Sequence, residues 1–282
     1  MDKGGISRGE GNEHSDGVCD ERSEVAAAVA VPGLVISGTS HTQAHEPIVI
    51  SGSEARVKGM RKAVLTAGRL IQDDVQRRPG GFQYKGAMLT VTYSDIDGGR
   101  PDHIAKLTNH MRTYLARRGH KLLGVWVAEL QQRGAVHYHF VVWLPKGVTL
   151  PMPDKQGWWP HGMTQWQWAR RAVGYLVKYA SKVDSKHKLP KGCRISGACG
   201  LNRAQRTERR WWRMPRYVRQ RWPDWGDDVV RAKGGGFVAR ATGEYMPPLF
   251  AFAGMVQGCI TLYRLDSPEW EDFFRTRNIV VS

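Results

Sequence analysis

Residues 125–144, VWVAELQQRGAVHYHFVVWL, constrain the fold more than any other stretch. They read as a β-hairpin whose second arm carries His137-Tyr138-His139. Successive side chains in a strand point to opposite faces, so His137 and His139 share one. The first arm carries Glu129. A three-residue turn, Arg133-Gly134-Ala135, would put the glycine where positive φ is needed. That register sets Gln131 opposite His137 and Glu129 opposite His139. Glu129, His137 and His139 would then offer two imidazoles and a carboxylate to a divalent metal, with room for substrate oxygens. The other face, Trp126, Ala128, Leu130, Tyr138, Phe140 and Val142, is apolar and suits a core. Two alternatives use the same residues. A two-residue turn would shift the pairing by one and rotate Glu129 away. The histidines would also be at home as ordinary surface or core residues.

Charge narrows the partner. The chain has 282 residues, enough for one large domain or two small ones, and a formal charge of +16. Residues 1–60 hold nine acids and five bases, which leaves 37 bases and 17 acids to the rest, a net of +20. A folded region that basic suits a polyanion, usually nucleic acid. The four cysteines, Cys19, Cys193, Cys199 and Cys259, lack zinc-site spacing and read as free thiols in a reducing cytoplasm. No run of 18 apolar residues appears, so no membrane partner is expected. The Ala/Val run at 25–31 follows acids and is broken by Pro32, unlike a signal peptide.

Taken in order, residues 1–55 read as a disordered leader rich in Gly, Ser, Glu and His. Residues 56–80 read as a basic helical linker, with the helix over 56–77 and a break at Pro79-Gly80-Gly81. The main domain is expected over 81–255, with 256–282 as a C-terminal segment. AMLTVTY, 87–93, reads as a buried strand. A helix over about 101–118 carries the apolar stripe Ile104, Leu107, Thr108, Met111 and Leu115. A second helix is expected over about 164–183, with Thr164 and Gln167 as a capping box and Trp166, Val173, Val177 and Ala180 toward the sheet. Another stripe of that helix carries Arg171, Tyr175, Lys178, Tyr179 and Lys182. Residues 186–222 hold 12 Lys or Arg and one acid, Glu208, interleaved with Trp211, Trp212, Tyr217 and Trp222. Arg209, Arg210, Arg213 and Arg216 there, with Arg171 and Lys182, are the candidate DNA-binding residues. Guanidinium groups hold phosphates and aromatics stack on bases, which suits single-stranded nucleic acid.

A tyrosine oxygen can attack phosphorus and store the phosphodiester bond energy as phosphotyrosine. Tyr175 and Tyr179 could equally pack in the core. With the hairpin beside them, the sequence resembles the HUH endonucleases, initiators of rolling-circle replication, in their phage type. The resemblance rests on His137-Tyr138-His139, on Tyr175-Leu176-Val177-Lys178 continued through Tyr179 to Lys182, and on AMLTVTY. It covers about residues 85–185.

The resemblance implies an α+β fold, an antiparallel sheet with flanking helices on one face in the ferredoxin-like Rep style. It implies Mg²⁺ or Mn²⁺ at Glu129, His137 and His139. Tyr175 would cut first, Tyr179 would make the second transfer, and Lys178 would assist at the phosphate. The substrate would be single-stranded DNA at a replication origin. The new 3′-OH would serve a host polymerase in the host cytoplasm. No P-loop is present, so a helicase would be a separate protein. A relaxase or single-strand transposase would share these motifs, but relaxases usually place the tyrosine before the histidines. A non-enzymatic single-stranded DNA-binding protein would need only the basic segment.

Overall fold

The structure is a computed structural model that describes residues 47–79, 83–182, 189–233 and 235–265. Most of the expected leader, Cys19, the glycines of the break at 80–81, the helix end at Val183, positions 186–188 and most of the C-terminal segment lie outside the described residues. In chain order the elements are β1 Ile48–Ser51, α1 Gly52–Arg77, β2 Tyr84–Thr92, α2 His103–Ala116, β3 Leu123–Leu130, β4 Val136–Pro145, β5 Thr164–Ala169 and α3 Ala172–Lys182. They continue as β6 Ser196–Cys199, α4 Arg203–Trp212, α5 Arg216–Arg221, β7 Val229–Arg231, β8 Phe237–Ala239, β9 Tyr245–Met246, β10 Phe250–Val256 and β11 Cys259–Arg264. The fold is α+β.

The centre is a five-stranded antiparallel sheet in the order β5-β2-β4-β3-β6. Both faces of β3 and β4 are apolar over most of their length, so both must be covered. On one face, Ile104, Leu107, Met111 and Leu115 of α2 pack on Leu89, Val91, Trp126, Tyr138 and Phe140. Leu107, Met111 and Leu115 are fully buried, worth about 1.5–3 kcal/mol each. On the other face, α1 and α3 pack on Val125, Val127, Val141 and Trp143. Helices therefore flank the sheet on both faces, not on one.

The helix expected over 56–77 begins four residues earlier. Ser51 caps it, accepting from the Glu54 amide at 3.3 Å. Its apolar residues Val57, Met60, Val64, Leu70, Ile71 and Val75 are buried against the central sheet and α3, so the helix is an integral layer. A third cluster lies around Met214, Val218, Trp222, Phe237 and Met246, where α5 packs on the small sheet β7-β8-β9.

Two expectations are corrected. Residues 164–169 form strand β5, paired antiparallel with β2, and the helix begins only at Ala172. TQWQWA alternates polar and aromatic residues, the period of a strand. Thr164 donates to Asp154 Oδ1 at 2.5 Å instead of forming a capping box with Gln167. Trp166 belongs to the α2 side of the sheet, and Val177 is exposed. The buried residues of α3 are Ala172, Leu176 and Ala180.

The hairpin register also differs. Glu129 faces His137 and Val127 faces His139 across the β3–β4 ladder. The loop is three residues long, but it is Gln132-Arg133-Gly134. The Gln131 amide donates to Ala135 O at 2.9 Å, and the Gly134 amide donates to Gln131 O at 2.8 Å. Gly134 has φ +89° as the last loop residue, where such loops need the left-handed conformation. The shift from the expected register is two residues, so every side chain keeps its face. Gly134→Val should strain this position and destabilise the protein by about 1–3 kcal/mol, read as a lower midpoint in urea denaturation.

Candidate active site

The pleat of β4 brings His137 and His139 to the face covered by α1 and α3, and β3 adds Glu129. His139 Nε2 lies 3.1 Å from Glu129 Oε2, and His139 is nearly buried. Its other nitrogen, Nδ1, lies 3.2 Å from Thr90 Oγ1. Thr92 Oγ1 contacts His137 Nε2, and Gln131 Nε2 is 3.0 Å from the same nitrogen. Thr90 and Thr92 pair directly with His139 and His137 in the β2–β4 ladder. Each imidazole is thus oriented by a neighbouring strand hydroxyl, a contact that fixes its plane. AMLTVTY already held the signal, as two threonines at i and i+2 that must share a face, but their role needs the strand order.

Burial pushes His137 down to about 4, helped by the neighbouring His139 and opposed by Glu129. The hydrogen bond from His139 holds Glu129 below the usual carboxylate range, against the effect of burial. Near neutral pH these shifts favour a neutral His137 and an ionised Glu129, the protonation states that ligate a divalent cation. The donor set suits such an ion in chemistry and shared face. As placed, the rings spend their nitrogens on protein partners, and no three His, Cys, Asp or Glu side chains among the described residues converge as a metal cluster.

The helix α3 crosses this face. Tyr179 stacks on His139, with ring centroids 3.7 Å apart and planes at 20°. Tyr175 stacks behind it at 6.4 Å, one turn away. Lys178 and Lys182 place their ammonium groups 5.7 and 5.4 Å from the Tyr179 ring centre. Burial raises the Tyr179 phenol above its ordinary range, with smaller contributions from Glu129 and Tyr175. Lys182 also acts electrostatically on Glu129. Arg171 is exposed just before the first residue of α3.

The end of α3 is held by a residue the sequence did not single out. Arg61 of α1 donates from Nε to Ala180 O at 3.0 Å and from Nη2 to Ser181 O at 3.0 Å. These are carbonyls at the C-terminus of the helix, where a cation is favoured.

The expected DNA-binding arginines divide. Arg213 and Arg216 are exposed. Arg209 donates to Ala63 O of α1 at 3.0 Å, and Arg210 pairs with Asp228. The aromatics of that segment pack rather than offer open faces. Trp211 and Trp222 are buried, and Trp211 Nε1 donates to Trp222 O at 2.8 Å. Tyr217 packs on the third cluster, and Trp212 lies against Trp211 with Arg69 and Arg219 over its ring. Cys193, Cys199 and Cys259 are free thiols.

Residues 86–184 match a family model of replication-associated proteins, the ORF2 group. The chain carries a replication-associated domain of the phage-initiator type. The match runs from within β2 to just past α3, so it takes in the hairpin and the tyrosine helix but not α1, β6, α4 or α5. No curated protein and no solved structure gave a match. A role in replication initiation follows for this domain. No helix among the described residues is long and apolar enough to cross a membrane.

The His137 shift has a testable sign. Between pH 6.5 and about 4 the unfolded chain takes up a proton at His137 that the folded chain refuses. Stability of the metal-free protein should therefore fall as pH drops through that window and level off, in this contribution, below it. Urea denaturation at pH 7 and pH 4.5 measures the loss, and His137→Asn should reduce it.

Proposed function

We propose that this protein nicks and rejoins single-stranded DNA at a replication origin through a 5′-phosphotyrosine intermediate, and so initiates rolling-circle replication. The observation that carries the proposal is the stack of Tyr179 on His139, itself paired with Glu129, inside the replication-associated domain. A candidate nucleophile thus sits against the candidate ligand set, which neither motif alone would require.

Glu129, His137 and His139 would hold Mg²⁺ or Mn²⁺, which supplies Lewis-acid polarisation of the scissile phosphate when bound. The remaining work falls to α3. A tyrosine oxygen attacks phosphorus. The new bond joins phosphorus to the phenol oxygen, the bond from phosphorus to the 3′ oxygen breaks, and the phenol proton is lost. The 3′ oxygen leaves as a hydroxyl, which is free to prime a host polymerase. Return attack by a 3′-OH reverses these bonds and closes the strand. Lys178 and Lys182 lie beside the Tyr179 ring, where their charge offsets that of the phosphoryl group. Burial disfavours the free phenolate of Tyr179, so the proton should leave as attack proceeds. Tyr179 lies against the histidine and Tyr175 one turn behind. We therefore place the first attack on Tyr179 and the second on Tyr175, the reverse of the order suggested by the Tyr-x-x-Lys pattern.

The test uses a labelled origin strand with Mn²⁺, a denaturing gel and peptide mapping of the adduct. Tyr179→Phe should lose the first adduct, and Tyr175→Phe should form it but fail to release closed circles. His137→Ala or His139→Ala should abolish nicking with binding retained. An adduct on Tyr175 alone restores the opposite order. An adduct on neither removes the two-tyrosine mechanism.

A further inference from the structure

A groove of about 1240 Å³ runs along the first turns of α1, past the end of α3, to α5. Eight of its lining residues are Lys or Arg and one is acidic, Glu54. Lys58, Arg61 and Lys62 come from α1, Lys182 ends α3, and Arg213 and Arg216 flank the entry to α5. Lys58, Lys62, Lys182, Arg213 and Arg216 form no ion pair with any described residue. Burial lowers the Lys62 ammonium, and so do the charges of Arg219 and Lys58. Positive charge is therefore crowded here without a protein counter-ion, at a cost that a bound polyanion would relieve.

Position adds a second argument. Ser181 and Lys182 line the groove, and Arg61 holds the carbonyls of Ala180 and Ser181. The groove thus opens within one helical turn of Tyr179. Val57 and Met214 lie between the cations. Cations on the walls with apolar side chains between them suit a flexible single strand, which can turn phosphates to one and bases to the other. No aromatic residue is among the described residues lining it, so its grip should be mainly electrostatic and tolerant of sequence.

We propose that this groove, built by α1, the end of α3 and α5, holds the single strand of DNA that continues from the tyrosines. The proposal rests on the reading that α3 acts on single-stranded DNA, and it adds a surface that lies mostly outside the matched residues 86–184. The surface would keep hold of a strand on one side of the cut.

The full chain with Tyr175→Phe and Tyr179→Phe, in chelator, is titrated by fluorescence anisotropy with labelled dT20 over a range of salt. Nicking plays no part under these conditions. Lys58→Ala, Lys62→Ala and Arg216→Ala together should weaken binding at least tenfold. They should lower the slope of log affinity against log salt by about 2, at roughly 0.7 per lost phosphate contact. The charge-keeping set Lys58→Arg, Lys62→Arg and Arg216→Lys should stay within about twofold of the parent. Circular dichroism melting identifies any set that has failed to fold. Unchanged affinity and slope in the folded alanine set overturn the proposal. So does a loss confined to a duplex of the same length. Failure of the wild-type chain to form a covalent adduct, with this binding pattern intact, removes the endonuclease reading and leaves the groove.

Discussion

The site depends on the pleat of β4. In one ten-residue strand, Tyr138, Phe140 and Val142 belong to the core under α2, while Val141 and Trp143 belong to the core under α1 and α3. His137 and His139 have the parity of the second set. They come at its end, where apolar cover gives way to Glu129, Thr90, Thr92 and Tyr179. A strand buried on both faces has no freedom to slip by one residue, because a slip would exchange two well-filled cores. The packing that stabilises the sheet is therefore also what orients the imidazoles.

The second constraint is the contact between α1 and α3. Gly68 lies where the helices meet, and a Cβ there would come within 2.4 Å of Leu176 Cδ1. Leu176 is fully buried, one residue after Tyr175 and three before Tyr179. The same pair of helices is tied at its other end by Arg61. Tight approach and a charged clamp together set the rotation of α3, and that rotation decides which tyrosine meets His139. The matched stretch supplies the tyrosines, but the helix that seats them lies before it in the chain.

Much of this was legible in the sequence because it rests on periods. His-x-His on a strand fixes a shared face whatever the register, and a two-residue error left Glu129 beside His139. The stripe of α2 was legible for the same reason. What could not be read depends on long-range choices. The loop register turned on which loop residue takes the left-handed backbone. Thr164 to Ala169 fits a helix cap as well as a strand until β2 offers an edge to pair with. The buried face of α1, Val57 to Val75, was visible as apolar content, but only the open sheet face shows that it must be an integral layer. Aromatic residues among arginines looked like open stacking faces because composition does not distinguish a tryptophan on a surface from one holding α4 against the Trp222 carbonyl.

The same ambiguity governs the charge. A net +20 beyond residue 60 says that the folded part attracts polyanions, not where. Arg209 and Arg210 are close to exposed Arg213 in sequence and nearly identical in local composition, yet they serve the fold. One satisfies a carbonyl of α1, and the other meets Asp228. A cation with a protein partner has already exchanged its water for that partner, so a phosphate must compete for it. Cations without partners face no such competition. Lys58 and Lys62 are of that kind, although they sit in a helix whose other face is core. A long helix can serve both ends because its two stripes answer to different forces, apolar burial toward the sheet and charge toward solvent. In α1 these stripes join the seat of the tyrosine helix to the wall of the groove. The element that fixes the geometry of the cut is thus also one that would hold the strand being cut.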